Sequence, residues 1–315
     1  MQIRTYDEVD PYDVYQLTLA AFGWGLVERW VRQSIRRDPR VLEGFAIYAV
    51  ERGKLLAQVI PLRMSVRLTC GPEAIGAIAG VCSHPSVWGK GYARRLMKNA
   101  HEMYRELGLR ISTLTTSRNI RGYRLYRKLG YVDLALFYRA LRKVPAKRTG
   151  PEGIRLRKAH RRDLPIIQAL FEQYTQDLYG WTLRSPKLLP FYVSREAKAL
   201  DPFHVVARDG VAVGYVRTHP EEHVLLEEVI APKARDFRAA VRLMEARSRD
   251  RIVTTGYVSS ERDRDRYTSL GYDICGPIPP TTMAVSIDDN LRAQNVRRLF
   301  GGTQGRFAHY PTDDF

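Results

Sequence analysis

The run Val81-Cys-Ser-His-Pro-Ser-Val-Trp-Gly-Lys-Gly-Tyr-Ala93 has the residue types of a phosphate site. An apolar strand runs into a turn with glycines at 89 and 91, and a helical pattern opens immediately after it. Glycine removes side chains where a ligand must touch backbone. Amides freed at a helix N-terminus point outward, where the helix dipole is positive. The run lacks the third glycine and the early strand of a dinucleotide fingerprint, and its spacing is wrong for a Walker loop. A tight strand-to-helix turn would also require glycine, so the pair alone leaves both readings open. The cysteines, Cys70, Cys82 and Cys275, are odd in number and far apart, with no metal-ligand spacing. They imply neither a metal site nor structural disulfides.

Positioning this loop requires a strand before it and a helix after it. Apolar residues at helical intervals over Val14–Ile35, interrupted by Gly23 and Gly25, predict two short helices. Phe45–Val50 and Leu55–Pro61 read as a hairpin turned at Arg52-Gly53. Met64–Thr69 and Ala74–Val81 read as two further strands. Tyr92–Leu107 is an amphipathic helix stopped by Gly108. Ile111–Thr116 is a β-branched strand, Asn119 can cap a short helix ending at Gly130, and Val132–Leu141 reads as one closing strand.

Lys143–Gly153 reads as a linker, and the sequence beyond it resembles a second copy of the first half. Val229–Pro232 matches Val81–Pro85, one residue shorter. Arg242-Leu-Met244 lies as far beyond Pro232 as Arg95-Leu-Met97 lies beyond Pro85. Tyr267-Thr-Ser-Leu-Gly-Tyr272 matches Tyr126-Arg-Lys-Leu-Gly-Tyr131, and Phe203–Ala207 with Asp209-Gly210 matches the first hairpin. Four matches in one order predict a duplication. The expected organisation is a domain over 1–145, a related domain over 153–287 and a tail over 288–315, either a docked arm or partly disordered.

The chain has 315 residues, 44% of them hydrophobic, which suits two domains with sizeable cores. No apolar run approaches the roughly 20 residues of a membrane span, and no signal-peptide pattern opens the chain. The expected location is the cytoplasm, away from membranes. The formal net charge of +17 favours an anionic partner: nucleic acid, a membrane surface or a phosphate-bearing small molecule.

The loop resembles motif A of the GCN5-related N-acetyltransferases (GNAT), Gln/Arg-x-x-Gly-x-Gly/Ala, with Trp88 in place of the first residue. Asn119-Ile-Arg-Gly-Tyr-Arg-Leu-Tyr126-Arg-Lys-Leu-Gly-Tyr131 is similar to the family's second motif. The resemblance covers about 1–142. It implies tandem α+β folds, each a mixed, mostly antiparallel sheet flanked by helices, with two strands splayed apart for acetyl-coenzyme A. By the same resemblance, the amides of Trp88, Gly89, Lys90, Gly91, Tyr92 and Ala93 hold the pyrophosphate. Val81, Cys82 and Ser83 pair with the pantetheine arm, and Asn119 bonds it. Charge makes Arg94, Lys98, Arg121 and Arg124 candidates for the 3′-phosphate. Tyr126 is the expected general acid, protonating the departing thiolate while a primary amine attacks directly.

A general base is less evident. The strand before the loop carries no glutamate, Glu73 lies at its far start, and His84 occupies a His-Pro turn. The stretch Leu56–Thr69 is similar to the first domain of the enhanced intracellular survival acetyltransferases, in which the terminal carboxylate enters the site as base. That resemblance makes Phe315 a candidate, with Asp314 beside it; the tail could reach roughly 90 Å when extended. In the second copy Asp236 and Arg238 replace the two glycines, so that copy is expected not to bind coenzyme A. Tyr267 is then structural. Tyr179, Trp181 and Glu227-Glu228 read as acceptor contacts, core or surface. The competing functions are an RNA-directed enzyme or RNA-binding protein, and a non-catalytic coenzyme A sensor.

Overall fold

The computed structural model describes residues 1–145, 150–195, 199–220, 224–248 and 252–310. The first half runs β1 (Gln2–Thr5), α1 (Pro11–Phe22), α2 (Glu28–Arg37), β2 (Ile47–Glu51), β3 (Lys54–Leu68), β4 (Gly71–Ser83), α3 (Tyr92–Glu106), β5 (Ile111–Ser117), α4 (Arg121–Lys128), β6 (Val132–Asp133) and β7 (Arg139–Lys143). The second runs β8 (Ile154–Lys158), α5 (Leu164–Thr175), β9 (Tyr179–Gly180), α6 (Leu188–Arg195), β10 (Phe203–Arg208), β11 (Val211–Pro220), β12 (Val224–Ile230), α7 (Ala234–Arg247), β13 (Ile252–Thr255), α8 (Glu261–Thr268), β14 (Asp273–Cys275), β15 (Pro280–Ser286), α9 (Ala293–Leu299) and β16 (Phe307–Ala308).

The strands form two mixed, mostly antiparallel sheets; the second half of the chain contributes β15 to the first sheet, together with the short β9 and β16 beside β3, and the first half contributes β7 to the second. The first sheet is ordered β1-β2-β3-β4-β5-β15-β6, and the second β14-β7-β13-β12-β11-β10-β8. β15 belongs to the second half of the sequence, yet it pairs with β5 along its whole length, from Pro280 opposite Ser117 to Ser286 opposite Ile111. In return β7 lies between β13 and β14. The expected single strand over Val132–Leu141 is therefore two pieces. β6 stays in the first sheet, and the chain crosses to the second before β7 begins.

Strand alternation assigns the faces of the first sheet. Ile47, Ala49, Ala57, Val59 and Ile78 pack with Leu96, Met97 and Tyr104 of α3. Their neighbours Ala46 and Tyr48 pack with Tyr6, Val14 and Val31 beneath α1 and α2. The rest of that second face is covered by Trp181, Val296, Phe300 and Phe307. The tail is thus docked through Tyr310, which is buried, and Trp181 is core.

The two strands expected over Leu55–Pro61 and Met64–Thr69 are one, β3. Pro61 does not break it because β2 ends opposite Val59, so the missing amide falls beyond that partner. Next to it the Tyr104 hydroxyl enters the ladder, accepting from the Leu62 amide at 3.2 Å and donating to the Ala77 carbonyl at 2.5 Å. A Cβ on Gly76 would lie 2.4 Å from the Tyr104 ring, so glycine makes room for it.

The second sheet repeats the plan. Its β10–β11 hairpin turns at Asp209 and Gly210 with φ of 49° and 81°, as the first turns at Arg52 and Gly53 with 52° and 72°. Each sheet has a parallel pair three residue pairs long, β4–β5 in the first and β12–β13 in the second. Tyr126 meets Tyr131 edge-on at 6.1 Å, and Tyr267 meets Tyr272 likewise at 5.4 Å.

The exchange predicts that neither half folds alone. A chain of residues 1–145 lacks β15, leaving seven residues of β5 as a bare edge. It should be insoluble or molten by near-UV circular dichroism and should recover native ellipticity on co-refolding with 150–315. A cooperatively folded, monomeric 1–145 fragment would contradict this.

Candidate functional site

The cleft of this molecule begins where β4 and β5 part. Their pairing runs from Gly76 opposite Ser112 to Ile78 opposite Leu114 and stops. β4 continues to Ser83 and β5 to Ser117 without each other. At the parting β4 bulges: Gln58 pairs with Cys82 but Ile60 with Ala79, so β4 carries an extra residue there. Gly80 sits in the bulge at φ +56°, and a Cβ on it would lie 2.7 Å from the Ile60 side chain. Gln58 Nε2 donates to the Gly80 carbonyl at 3.1 Å and fixes the kink.

The gap opens into a cleft of about 900 Å³. Val81, Cys82 and Ser83 line it, as do Trp88 through Ala93 and Tyr126. Most residues expected at the cofactor site are therefore together. Asn119 is not: it is exposed, does not line the cleft and precedes the true N-cap of α4, Ile120, whose side chain makes no cap bond. Its amide donates to Ser117 Oγ at 3.3 Å. Phe315 and Asp314 lie outside the described residues.

The loop is fastened at both ends. His84 caps the turn Pro85–Val87, with Nδ1 2.7 Å from Ser86 Oγ, a structural position. The Trp88 indole donates to the Ser83 carbonyl at 3.0 Å, which explains a tryptophan at this motif position. Gly89 and Gly91 have φ of +82° and +85°, and a Cβ on either would stand in open space. The amides of Gly89, Gly91, Tyr92, Ala93 and Arg94 make no hydrogen bond among the described residues. They open α3, whose first turn carries no acidic residue. That is a cradle for an anion.

Cations rim the cradle. Arg94, Arg121 and Arg124 line the cleft as expected, whereas Lys98 does not. Lys128, missed from the sequence, lines it too. The signal was there, since 121, 124 and 128 share one helix face. The Arg121 guanidinium lies 4.8 Å above the Trp88 ring. Also missed were Ala21 and Phe22 at the end of α1, on the opposite face of the sheet from α3. The cleft therefore passes through the sheet.

Tyr126 is 6% exposed, and its hydroxyl has no hydrogen-bond partner among the described residues. It lies back over Gly122, where a Cβ would come within 3.2 Å of the oxygen. Burial first, and then Cys82 nearby, raise its pKa above the usual phenol range. Burial pushes the Cys82 thiol up to about 12. Glu73 is engaged by Arg110 at 2.6 Å.

The second copy has closed. The void beside Tyr267 measures about 20 Å³ and is lined by Tyr174, Asp263 and Tyr310. The Tyr174 and Tyr310 hydroxyls donate to the two oxygens of Asp263 at 2.6 and 2.9 Å. Asp236 does not project toward a ligand as expected. It is 1% exposed and turned inward onto Arg208, 2.7 Å away. Glu228 is buried against Arg184 and Tyr215, so it is no acceptor contact.

Residues 2–132 match the family model of the acetyltransferase (GNAT) domain. Solved structures of the same fold include a GCN5-related N-acetyltransferase from Kribbella flavida, at 19% identity and TM-score 0.66 over 91% of this chain and 72% of that one. Another from Anabaena variabilis ATCC 29413 has 16% identity and TM-score 0.71 over 91% and 73%. Eis1 from Mycobacterium abscessus has 16% identity and TM-score 0.65 over 91% and 74%. At these identities the likeness is one of fold. No curated protein matches the chain. Among the described residues no helix is long and apolar enough to cross a membrane, and no cluster could hold a metal ion.

The cradle makes a direct prediction. Gly91→Ala places a methyl group in the cleft and a side chain at a left-handed φ, costing about 1 kcal/mol of stability. Coenzyme A should bind tenfold or more weakly by calorimetry, with only a small fall in Tm. Unchanged affinity would remove the loop from the binding site.

Proposed function

We propose that the chain is an acetyl-CoA-dependent N-acetyltransferase that moves the acetyl group to a primary amine, of a small molecule or a protein, by direct attack in a ternary complex. The match of residues 2–132 to the acetyltransferase (GNAT) domain supports acyl transfer as the class of chemistry. The observation that carries the finer reading is the meeting, in one through-sheet cleft, of the anion cradle and the phenol of Tyr126, whose hydroxyl has no hydrogen-bond partner among the described residues.

The residues fit the coenzyme. The free amides of Gly89 and Gly91 through Arg94 would hold its diphosphate, and Arg94, Arg121, Arg124 and Lys128 its remaining phosphate. The unpaired edge of β4 at Val81–Ser83 would bond the pantetheine amides as a neighbouring strand does. When bound, the coenzyme supplies an activated acetyl thioester. The protein then holds donor and amine at contact and keeps bulk water from them. Tyr126 Oη, protonated throughout the neutral range, donates to the departing sulfur.

Tyr126→Phe tests this. Removing the hydroxyl should lower kcat by roughly a hundredfold or more while the Kd for coenzyme A stays within twofold. Retained turnover would exclude the phenol as acid, and full coenzyme binding with wild-type kcat would do so most cleanly. The pH profile adds a second check. The active form is the protonated phenol, and its pKa is raised, so the acid is fully present below the ordinary phenol value and lost only as pH climbs past it. The kcat profile should therefore show no basic limb below about pH 10. A basic limb centred near pH 8 would assign the proton to another group.

A further inference from the structure

The two mouths of the cleft differ in chemistry. Cations surround the α3–α4 mouth. At the α1 mouth stand Ala21 and Phe22, with Phe22 stacked on Trp24 at 5.4 Å and 16° from parallel. Gly23 between them, at φ 78°, ends the helix and brings the two rings together. Both rings face solvent, Phe22 at 38% and Trp24 at 53% exposure. Large aromatics left in water at the mouth of a cleft gain most from a flat apolar ligand.

Protons set a second condition. Among the described residues, the titratable acids lining the cleft are Cys82, Tyr92 and Tyr126, and no carboxylate or imidazole joins them. All three are raised, Cys82 and Tyr126 by burial and Tyr92 chiefly by the hydrogen bond it donates to Glu51. None is a base at neutral pH.

Resting on the acetyl-transfer reading, we propose that the acceptor is an aryl-bearing amine of low basicity, an aromatic amine or aryl hydrazine, seated on Phe22 and Trp24. Such a nitrogen is already neutral, and Tyr126 alone then closes the proton balance. The nitrogen lone pair attacks the acetyl carbon, the C–N bond forms, and the C–S bond breaks with its electron pair passing to sulfur. Tyr126 Oη gives its proton to sulfur, and the proton released by nitrogen replaces it. An alkylammonium brings one proton more, which no described group of the cleft can take. A polyamine would in addition find no carboxylate among the described residues lining the cleft to receive its further charges.

The test uses the full chain and acetyl-CoA, with thiol release measured for substituted anilines, aryl hydrazines, alkyl monoamines and polyamines. Aryl-amine binding without donor is read separately from tryptophan fluorescence, with Trp24→Phe identifying the responding ring. Aryl amines should show the highest kcat/KM and should quench Trp24. Phe22→Ala should raise their KM about tenfold, more than it moves the KM for acetyl-CoA. Truncation after Tyr310 should leave aryl transfer intact. Higher kcat/KM for alkyl amines or polyamines overturns the proposal, as does aryl KM and quenching unmoved by both substitutions. A loss beyond tenfold on truncation overturns it too, because the tail would then supply the base. Transfer to no amine at all, with coenzyme binding intact, refutes the N-acetyltransferase reading itself and is distinguishable from those failures.

Discussion

Everything at this site depends on a sheet that is prevented from closing. Two parallel strands that separate after three pairs leave backbone groups that any neighbouring strand would satisfy, at about 1–3 kcal/mol for each one buried without a partner. The fold holds the gap open from several sides. β15 grips β5 along its full length, so β5 cannot swing back to β4 without breaking that ladder. The bulge at Gly80, tied by Gln58, bends β4 away. Asp133 gathers Tyr123 of α4, Thr281 of β15 and Arg118 into one node beside the parting strands. What remains exposed inside the sheet is a backbone edge, the one to which the proposed function assigns the pantetheine arm of a coenzyme.

The two halves share this frame and differ in what fills it. In the second half the strands also part after three pairs, and Arg217 pairs with Glu228 while Thr218 pairs with Leu226, so a bulge persists. The space is taken by Tyr174 and by Tyr310 from the tail, both bonded to Asp263. The absence of glycines at 236 and 238, the inward turn of Asp236 and the tyrosine filling belong together. The Asp236 carboxylate, in the first turn of α7, faces Arg208 and accepts two of its hydrogen bonds.

Much of the first half was legible because its signals are local. Glycines at 89 and 91, the amphipathic stripe of α3, the hairpin turn at Arg52-Gly53 and the Leu-Gly-Tyr repeat each reflect a short-range constraint. The rest was not local. Pro61 looks like a strand break unless one knows that β2 has already ended. The crossing of β7 and β15 leaves no trace in hydrophobic pattern, since a strand alternates in the same way in either sheet. Asn119 read as a cap on composition, but the helix starts one residue later and uses no side chain there. Phe22 read only as one of the apolar residues at helical intervals over Val14–Ile35. Its place beside the cleft is set only by where α1 lies on the sheet.

The exchanged strands also bear on how such a chain can evolve. A half of a chain that holds no open cleft would ordinarily be free to shrink or disappear. Here the closed half lends β15 to the open one, so deleting it would strip the first sheet of an interior strand. Its sequence is released from the demands of chemistry but not from those of the fold. Mutations can therefore accumulate around Asp263 and Tyr267, while the register of Pro280–Ser286 stays under selection exerted by a site in the other half of the chain.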